Sequence, residues 1–270
     1  MAQIAPAAGP TGHLQVRGVG KTFEARDHAP TVVLDDCGFE VNPAELTVLM
    51  GPSGCGKSTL AYLLAGYLVP DAGSLLIDGA PIRGPGPDRL LVFQETALWP
   101  WMTVVENVMF GPLARGSLDH ASARRAADAL LARFGLDGFG DRYPDQLSGG
   151  MKRRAELAQA LINSPKVMIL DEPFRGLDVM TRELMQEYFL ALFEDTRVTT
   201  LFITSELEEA IFLADRILFM QASTGRIVRS MAVDLPRPRL FESLTSERYL
   251  QLKTDALETL ATLGAAETLK

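Results

Sequence analysis

The stretch Glu45-Leu-Thr-Val-Leu-Met-Gly-Pro-Ser-Gly-Cys-Gly-Lys-Ser-Thr59 joins a short apolar run, a glycine-rich loop and the start of a helix. The apolar run predicts a buried strand, and the apolar spacing from Ser58 to Leu68 predicts a helix. The glycines of the loop allow its backbone to curl until the N–H groups point at one centre. A strand, such a loop and a helix in this order are the context that a phosphate-binding loop requires.

The loop carries the groups that hold phosphate. The helix that follows it adds the positive end of its dipole. Lys57 brings a mobile positive charge for the terminal phosphates, and the hydroxyl of Ser58 is a ligand for Mg²⁺. A flexible turn without a ligand is the alternative, but the flanking strand and helix favour nucleotide binding. The predicted nucleotide-binding residues are Gly51, Ser53, Gly54, Cys55, Gly56, Lys57, Ser58 and Thr59.

Outward from this loop, strands and helices alternate on both sides of an all-helical stretch. Strands are predicted at 14–19, 31–41, 45–50, 74–77, 89–93, 166–170, 199–204, 216–220 and 226–230. Helices are predicted at 58–68, 103–110, 122–134, 150–162, 179–193, 206–214 and 240–263. This alternation predicts a mostly parallel sheet with helices on both faces.

The all-helical stretch interrupts the alternation, and we therefore predict that it is an inserted subdomain. The expected organisation is a flexible tail over residues 1–12, a nucleotide-binding core over 13–94 and 165–235, a helical subdomain over 95–164 and a helical C-terminal tail over 236–270. The first residues lack the basic start and apolar core of a secretory signal. No apolar run reaches the about 20 residues that a membrane-spanning helix needs.

Two adjacent acids end the run Lys166-Val-Met-Ile-Leu-Asp-Glu172. A buried strand at this place delivers both carboxylates to the edge of the sheet at which ligands bind in such folds. Asp171 is placed to hold Mg²⁺ through water, and Glu172 is placed to polarise an attacking water. The alternative is an ordinary strand end with two solvated acids, which the phosphate-binding loop disfavours.

A third motif, Leu147-Ser-Gly-Gly-Met-Lys-Arg-Arg154, begins a helix. Ser148 is a capping residue for a helix that starts at Gly149 or Gly150. The two glycines leave the N–H groups of the helix uncovered, so that an anion is able to approach them closely. By itself, the motif supports a capped helix start without a ligand equally well.

The charge and the cysteines of the chain restrict its partners. The 270 residues carry a formal net charge of −8, which argues against a broad basic face that holds nucleic acid. Two cysteines, Cys37 and Cys55, are too few for a disulfide framework, and neither lies in a sequence pattern typical of metal ligands. We therefore expect two reduced thiols in a cytosolic protein and no nucleic-acid partner.

Together, these motifs resemble those of the ATP-binding-cassette (ABC) ATPases. The resemblance extends from about Leu14 to Met231 and depends on order and spacing: the phosphate-binding loop, Gln94, Leu147-Ser-Gly-Gly150, Asp171-Glu172 and Gly176-Leu-Asp178. It implies an α/β fold with a RecA-like parallel-sheet core, an antiparallel β subdomain and an inserted helical subdomain. It also implies ATP as the nucleotide, Mg²⁺ as the cofactor and ATP hydrolysis as the reaction.

The resemblance implies a role for each matching residue. Phe23 matches the aromatic residue that stacks on adenine, and a core phenylalanine is the alternative. Gln94 matches the glutamine that touches Mg²⁺ and senses the transmembrane subunit. Ser148 and Gly150 match the signature that closes over the γ-phosphate of ATP on the opposite subunit. Asp178 matches the aspartate of the loop that joins the two sites across the dimer. These roles imply a head-to-tail dimer with two ATP molecules in its interface.

Two positions depart from the family pattern. Ser205 stands where the family normally has a histidine that reaches the γ-phosphate and helps Glu172 to hold the attacking water. Serine is shorter and carries no positive charge, so we expect either slower turnover or a site that closes but hydrolyses poorly beside a complete partner. Ser205 is therefore a candidate catalytic residue with Glu172 and Gln94. Arg175 stands where the family often has a small residue, and we expect little consequence because Asp178 remains.

The segment from Glu95 to Phe110 bears on the kind of transporter. In importers of this family it forms part of the groove for the coupling helix of the membrane subunit. Trp99 and Trp101 would then be an exposed apolar pair that suits a protein interface, and packing of both rings inside the helical subdomain is the alternative. This segment and Phe212-Leu-Ala-Asp-Arg216 are similar to the ATPase subunits of nitrate, sulfonate and taurine importers.

The implied partners are ATP, a second ATPase subunit, a transmembrane permease and, indirectly, a periplasmic or extracellular solute-binding protein. A homodimer is favoured over a heterodimer, and the implied location is peripheral, at the cytoplasmic face of the inner (plasma) membrane. An ABC ATPase of DNA maintenance is disfavoured, because the stretch between the loop and the signature is too short for long coiled coils. The motifs are also compatible with an exporter or lipid-trafficking ATPase and with a regulatory ATP-binding subunit.

Overall fold

The computed structural model describes residues 11–25, 28–222 and 224–268, so that the predicted tail over 1–12 lies almost entirely outside the described residues. The strands are β1 (Leu14–Ala25), β2 (His28–Val41), β3 (Leu46–Met50), β4 (Ala72–Ile77), β5 (Ala80–Pro81), β6 (Arg89–Val92), β7 (Val167–Asp171), β8 (Thr199–Ile203), β9 (Arg216–Met220) and β10 (Ile227–Ala232). The helices are α1 (Lys57–Ala65), α2 (Val104–Ala114), α3 (His120–Arg133), α4 (Gly149–Leu161), α5 (Val179–Thr196), α6 (Leu207–Leu213) and α7 (Glu247–Thr268), with short 3₁₀ helices at Pro144–Gln146 and Phe241–Thr245. Within these ranges, no helix has the length and apolar character needed to cross a membrane.

A six-stranded sheet forms the centre of the fold, in the order β10-β9-β3-β8-β7-β6. All neighbouring pairs from β9 to β6 are parallel, and β10 runs antiparallel at one edge. The carboxyl ends of β3, β8 and β7 therefore lie side by side, and the glycine-rich loop, Ser205 and Glu172 follow them. The predicted α/β fold with a mostly parallel core sheet is confirmed.

The central strands are apolar along their whole length because both faces of the sheet are covered. In β3, Leu46, Val48 and Met50 belong to the core under helices α2 to α7, whereas Leu49 belongs to the core that includes α1. Successive side chains of a strand point to opposite faces. A continuous apolar run is the expected pattern for a strand buried on both sides.

A second sheet is antiparallel and four-stranded, in the order β2-β1-β4-β5. Leu14 on β1 pairs with Val41 on β2 and with Ile77 on β4, and all three residues are buried in one core with α1. This sheet therefore packs on the face of the central sheet that carries α1. It is the antiparallel β subdomain that the family resemblance implies.

The helix predicted at 58–68 ends earlier, at Ala65. Gly66 adopts a φ of 82°, which stops the helix with the left-handed conformation common at helix ends. A Cβ at this position would lie 2.3 Å from the carbonyl of Gly84. The apolar residues that follow Gly66 extend the periodic pattern but not the helix.

The strand predicted at 14–19 continues to Ala25. Register shifts near Val19 and Lys21 interrupt its pairing with β2, and Gly18 and Gly20 break the apolar alternation at the same place. Bulges of this kind bend a strand without ending it. The longer strand carries Phe23, which sequence pattern alone leaves in a loop.

Helices α2, α3 and α4 form the stretch between the two halves of the central sheet. Thr103 and Glu106 form the predicted capping box at the start of α2. The buried Asn107 side chain donates to the carbonyls of Trp99, Met102 and Thr103 at 3.0–3.1 Å. It thereby fixes the loop that leads into the helix.

The C-terminal segment is tied to α6 at both ends of that helix. The buried Arg239 guanidinium donates to the carbonyl of Ala214 at 2.6 Å and to that of Phe212 at 3.1 Å. Both carbonyls lie at the C-terminal end of α6, where Arg239 supplies donors from outside the helix. Near the other end, Glu208 of α6 forms an ion pair with Lys253 of α7.

Both cysteines are free and buried. Burial raises the pKa of the Cys37 thiol to about 12, and burial also raises that of Cys55. Because the thiolate is the reactive form, we expect neither thiol of the folded protein to react with an aromatic disulfide reagent at mildly alkaline pH. Both should react after unfolding in guanidinium, as measured by released thiolate absorbance. Rapid labelling of the folded protein would contradict the burial of these thiols.

Candidate active site

The glycine-rich loop connects β3 to α1, as the sequence predicts. Gly54 and Gly56 have φ values of 82° and 103°, in the region that favours glycine. At Gly51, a Cβ would lie 2.7 Å from the carbonyl oxygen of Met220, so that a larger residue does not fit without displacement. This curled backbone has the shape that surrounds a phosphate with N–H groups.

The Lys57 side chain folds back over the loop. Its ammonium donates to the carbonyl oxygen of Gly51 at 2.7 Å and to that of Pro52 at 2.8 Å. The residue is only 6% exposed, so that its charge is held inside the loop. An ammonium with carbonyl partners of this kind is able to exchange them for the oxygens of an anion, which make stronger charge-assisted bonds.

The residues proposed as Mg²⁺ ligands share one cavity. A space of about 430 Å³ beside the loop is lined by Ser58, Gln94 and Asp171, with Tyr62 and Phe93 among its other walls. Burial raises the pKa of the Asp171 carboxyl, and a hydrogen bond with Ser58 opposes this rise. The fold thus brings together three polar side chains from separate parts of the sequence.

This donor set suits a magnesium ion. A hydroxyl, an amide oxygen and a carboxylate are hard oxygen ligands, and Mg²⁺ in such sites keeps several waters and takes further oxygens from substrate phosphates. Among the described residues, no group of three or more His, Cys, Asp or Glu side chains is arranged to hold a metal ion. The fit to Mg²⁺ rests on the oxygen donors of Ser58, Gln94 and Asp171 that line the cavity.

Glu172 follows Asp171 in an uncommon backbone conformation. Its φ is 43°, in the left-handed region. Its N–H donates to the carbonyl of Ile203 at 2.9 Å, which ties it to the end of β8. Glu172 and Ser205 both line a second cavity, of about 130 Å³. The candidate base and Ser205, the position at which the family resemblance implies a histidine, therefore share one cavity.

Arg175 lines this second cavity as well. Its guanidinium donates to the Glu172 carboxylate at 2.7 Å, and the Glu172 side chain is 12% exposed. A tight turn, in which the Arg175 N–H donates to the Glu172 carbonyl at 3.1 Å, makes this contact possible. Charge-assisted bonds of this kind orient a carboxylate, so that Arg175 acts on the geometry of the site.

The signature residues and Asp178 lie at the starts of two helices. Ser148 caps α4 by accepting from the N–H of Met151 at 3.3 Å, and Asp178 caps α5 by accepting from that of Thr181 at 3.0 Å. A Cβ at Gly150 would lie 2.7 Å from the Thr181 side chain. Ser148 and Asp178 are exposed and are not among the described residues that line the two cavities. A single chain does not bring these residues to its own cavities.

The aromatic residues are only partly where the sequence predicts. Phe23 is 40% exposed, so that the alternative of a core phenylalanine is wrong. The Lys21 ammonium lies 5.6 Å from its ring centroid. Trp101 is 70% exposed, whereas Trp99 packs edge-on against Phe110 with ring centroids 4.2 Å apart. The expectation of an exposed pair is therefore correct for Trp101 and wrong for Trp99.

Two charged residues near the site were not predicted. Arg153 and Glu156 lie one turn apart on α4, are both buried, and contact the segment that carries Gln94. The signal in the sequence is a pair of opposite charges at i and i+3 on a helix of otherwise small and apolar inward positions. Such a pair is more often solvated, so that only the structure shows its contacts.

The fold and the two cavities define a nucleoside triphosphatase of the phosphate-loop class. A loop of this shape, an acid at the end of a parallel strand and a second acid beside it are the parts that hold and hydrolyse a nucleoside triphosphate. The family model described as ABC transporter matches residues 34–175. The chain therefore belongs to the ABC transporter family, in which it is an ATP-binding and ATP-hydrolysing subunit.

Individual relatives agree with this assignment. The nitrate import ATP-binding protein NrtD of Synechococcus elongatus is 42% identical over 253 residues, which cover 93% of this chain and 92% of that protein. The taurine import ATP-binding protein TauB of Pseudomonas putida is 43% identical over 206 residues, 76% of this chain and 78% of that one. The dimeric ATP-binding cassette MJ0796 bound to ADP and Pi superposes with a TM-score of 0.72 at 27% identity, over 82% of this chain and 98% of that chain.

Proposed function

We propose that this ATPase subunit drives a membrane permease that imports a small anion or organic solute, such as nitrate, a sulfonate or taurine. The observation that carries the proposal is the 42% identity to a nitrate import protein over 93% of the chain. In this scheme the solute comes from a periplasmic or extracellular solute-binding protein. The chain itself is peripheral, at the cytoplasmic face of the inner membrane.

ATP would bind with its phosphates in the loop and its adenine against Phe23. The loop N–H groups and Lys57 face the phosphates, and the half-exposed Phe23 ring offers a stacking surface. The strand β2, which pairs with the Phe23 strand, lies close to the loop, since a Cβ at Gly56 would come within 3.0 Å of Leu34. The two ends of the nucleotide therefore have binding groups on adjoining elements.

Ser58, Gln94 and Asp171 would hold Mg²⁺ in the larger cavity. When bound, the metal would neutralise the negative charge that develops on the transferred phosphate. Ser58 gives a hydroxyl, Gln94 an amide oxygen, and Asp171 a carboxylate that acts directly or through water. Their common cavity supports this assignment.

Glu172 would orient the attacking water and accept its proton. It lies next to Asp171 on the chain and lines a cavity with Ser205 and Arg175. Its tie to Ile203 and its ion pair with Arg175 restrict where the carboxylate points. The water then attacks the γ-phosphate, the bond to the β-phosphate oxygen breaks, and ADP and phosphate are the products.

Two copies of the chain would complete each site in a head-to-tail dimer. Ser148, Gly150 and Asp178 are not among the described residues that line the two cavities, and Ser148 and Asp178 are exposed. The start of α4 presents N–H groups and the positive end of its dipole, which favour the γ-phosphate of ATP on the other copy. The likeness to a dimeric cassette that is bound to ADP and Pi supports this arrangement.

The permease would dock on the helical stretch. A cavity of about 520 Å³ is lined by Phe93, Trp99, Phe110 and Glu156, among other residues. The exposed Trp101 lies in the same loop as Trp99. Aromatic residues beside an apolar hollow are typical of surfaces that take a partner helix.

Transport by cells tests the import proposal. We expect that deletion of the gene for this chain abolishes uptake of labelled nitrate, taurine or a sulfonate, and that only a copy with an intact Glu172 restores it. Uptake of all three solutes at the rate of the parent strain would contradict the proposal.

Replacement of Ser205 by histidine should raise ATP turnover about tenfold. A histidine at this position adds a donor that reaches toward the phosphate. One hydrogen bond to a charged group is worth about 1.5–3 kcal/mol, and the lower end of this range corresponds to about tenfold. Steady-state phosphate release at saturating ATP measures the effect. Ser205→Asn is the control, because it adds length without a titratable ring. An unchanged rate would show that this position does not limit hydrolysis.

A regulatory ATP-binding half-site is the second candidate function. Ser205 beside Glu172 favours it, because a serine brings no positive charge to the γ-phosphate and such a site closes on ATP without rapid hydrolysis. The purified chain distinguishes the two functions. Turnover that depends on Glu172 supports the ATPase, whereas ATP binding without any such turnover supports the half-site.

A further inference from the structure

Helix α4 contains a buried ion pair. Arg153 and Glu156 lie one turn apart, their side chains are 5% and 4% exposed, and the guanidinium Nη1 lies 2.7 Å from the carboxylate Oε2. Burial raises the pKa of Glu156 to about 7 and lowers that of Arg153. Removing two charges from water is costly, so that such a pair adds little to stability in comparison with apolar residues.

The remaining hydrogen bonds of this pair all go to one segment outside the helix. Arg153 donates to the carbonyl of Phe93 at 2.7 Å and to that of Gln94 at 2.5 Å. Glu156 accepts from the backbone N–H of Ala97. The segment 93–97 follows β6 and belongs to neither a strand nor a helix. The pair therefore provides backbone partners that secondary structure does not.

The contacted segment and the contacting helix carry different parts of the proposed machinery. Gln94 lines the cavity with Ser58 and Asp171. Helix α4 begins at the other end with the cap of Ser148. Glu156 and Ala97 also line the 520 Å³ cavity proposed for the permease. The ion pair thus lies where these three surfaces meet.

We propose that the Arg153–Glu156 pair is a positioning device that fixes Gln94 to helix α4. Gln94 and the N-terminal end of α4, which Ser148 caps, then move as one rigid unit. A permease that binds in the 520 Å³ cavity therefore displaces both together. This inference rests on the proposed function for the roles of Gln94 and Ser148. Arg153 and Glu156 are not among the described residues that line the cavity of Ser58, Gln94 and Asp171, and both act through the segment that carries Gln94.

The double variant Arg153→Gln/Glu156→Ala removes both charges and so leaves no unpaired buried ion. We expect at least tenfold faster hydrogen exchange of the amides in 93–97, with no change in α1 or β7. We also expect at least a tenfold fall in kcat with ATP affinity within twofold of the parent. The matched control is Arg124→Gln/Asp128→Ala, which removes an exposed ion pair from α3 and should change neither quantity.

A second variant covers the case in which the double variant does not fold. Arg153→Lys keeps the charge beside Glu156 but loses the guanidinium that bridges Phe93 and Gln94. We expect faster exchange of the Ala97 amide, whose partner Glu156 loses its bridge to the segment, and a lower kcat here as well. Exchange and kcat within twofold of the parent, in whichever variant folds, would overturn the inference.

Failure of this inference and failure of the proposed function give different results. If the parent chain hydrolyses ATP and Glu172→Gln abolishes that activity, the proposed function stands whatever the pair does. If the parent chain does not hydrolyse ATP, the exchange of 93–97 still reports whether the pair holds the segment.

Discussion

Replacement of Glu172 by glutamine should reduce ATP hydrolysis by about 10²–10⁴-fold, the contribution typical of a positioned general base. Glutamine has nearly the same shape, and its amide oxygen still accepts from Arg175. It cannot take a proton from the attacking water, since the amide is not basic. ATP binding should be unaffected, because the phosphate-binding groups lie in the loop and on α1.

Two assays of purified Glu172→Gln separate catalysis from binding. Phosphate release gives turnover, and titration with a fluorescent ATP analogue gives affinity. Glu206→Gln is the matched control, because Glu206 lines the same cavity but is not proposed as the base. Turnover of Glu172→Gln within tenfold of the parent would mean that another group accepts the proton.

Lys57→Ala has the second largest expected effect, a weakening of ATP binding by about 10–100-fold. A hydrogen bond to a charged group is worth about 1.5–3 kcal/mol, and tenfold corresponds to about 1.4 kcal/mol. The measured loss is a net value, because the ammonium gives up its bonds to Gly51 and Pro52 when phosphate enters.

The affinity of Lys57→Ala for ATP is measured by the same titration, and thermal unfolding shows whether the variant is folded. Lys166→Ala serves as control, since it removes an exposed lysine that contacts Asp78 and not the loop. ATP affinity of Lys57→Ala equal to that of the control would remove Lys57 from the binding site.

Much of the fold follows from local pattern. The strand, loop and helix around Gly51 are specified by glycines and apolar spacing, and β3, β7 and β8 are uniformly buried, as their sequences indicate. The end of α1 is harder to predict, because Gly66 stops the helix through a close approach to Gly84. That contact joins distant parts of the chain and leaves no periodic signal.

Part of the site can also be predicted from the sequence. Ser58, Gln94 and Asp171 are predicted to act on one ion, and they line one cavity because parallel strands end at one edge of the sheet. The contact of Arg175 with Glu172 depends on a turn with a left-handed residue. A residue's type and spacing do not reveal such a turn, and the sequence therefore does not predict the contact.

The segment that follows residue 236 holds helix α6 in place. Helix α6 begins just after Ser205, its final carbonyls are held by Arg239, and its first turn is held by Lys253. Ser205, which lines a cavity with the candidate base, thus lies just before a helix that the C-terminal segment contacts at both ends. The C-terminal segment therefore supports the edge of the sheet at which the candidate catalytic residues lie. The position of Ser205 thus depends on a part of the chain that carries none of the motifs of the site.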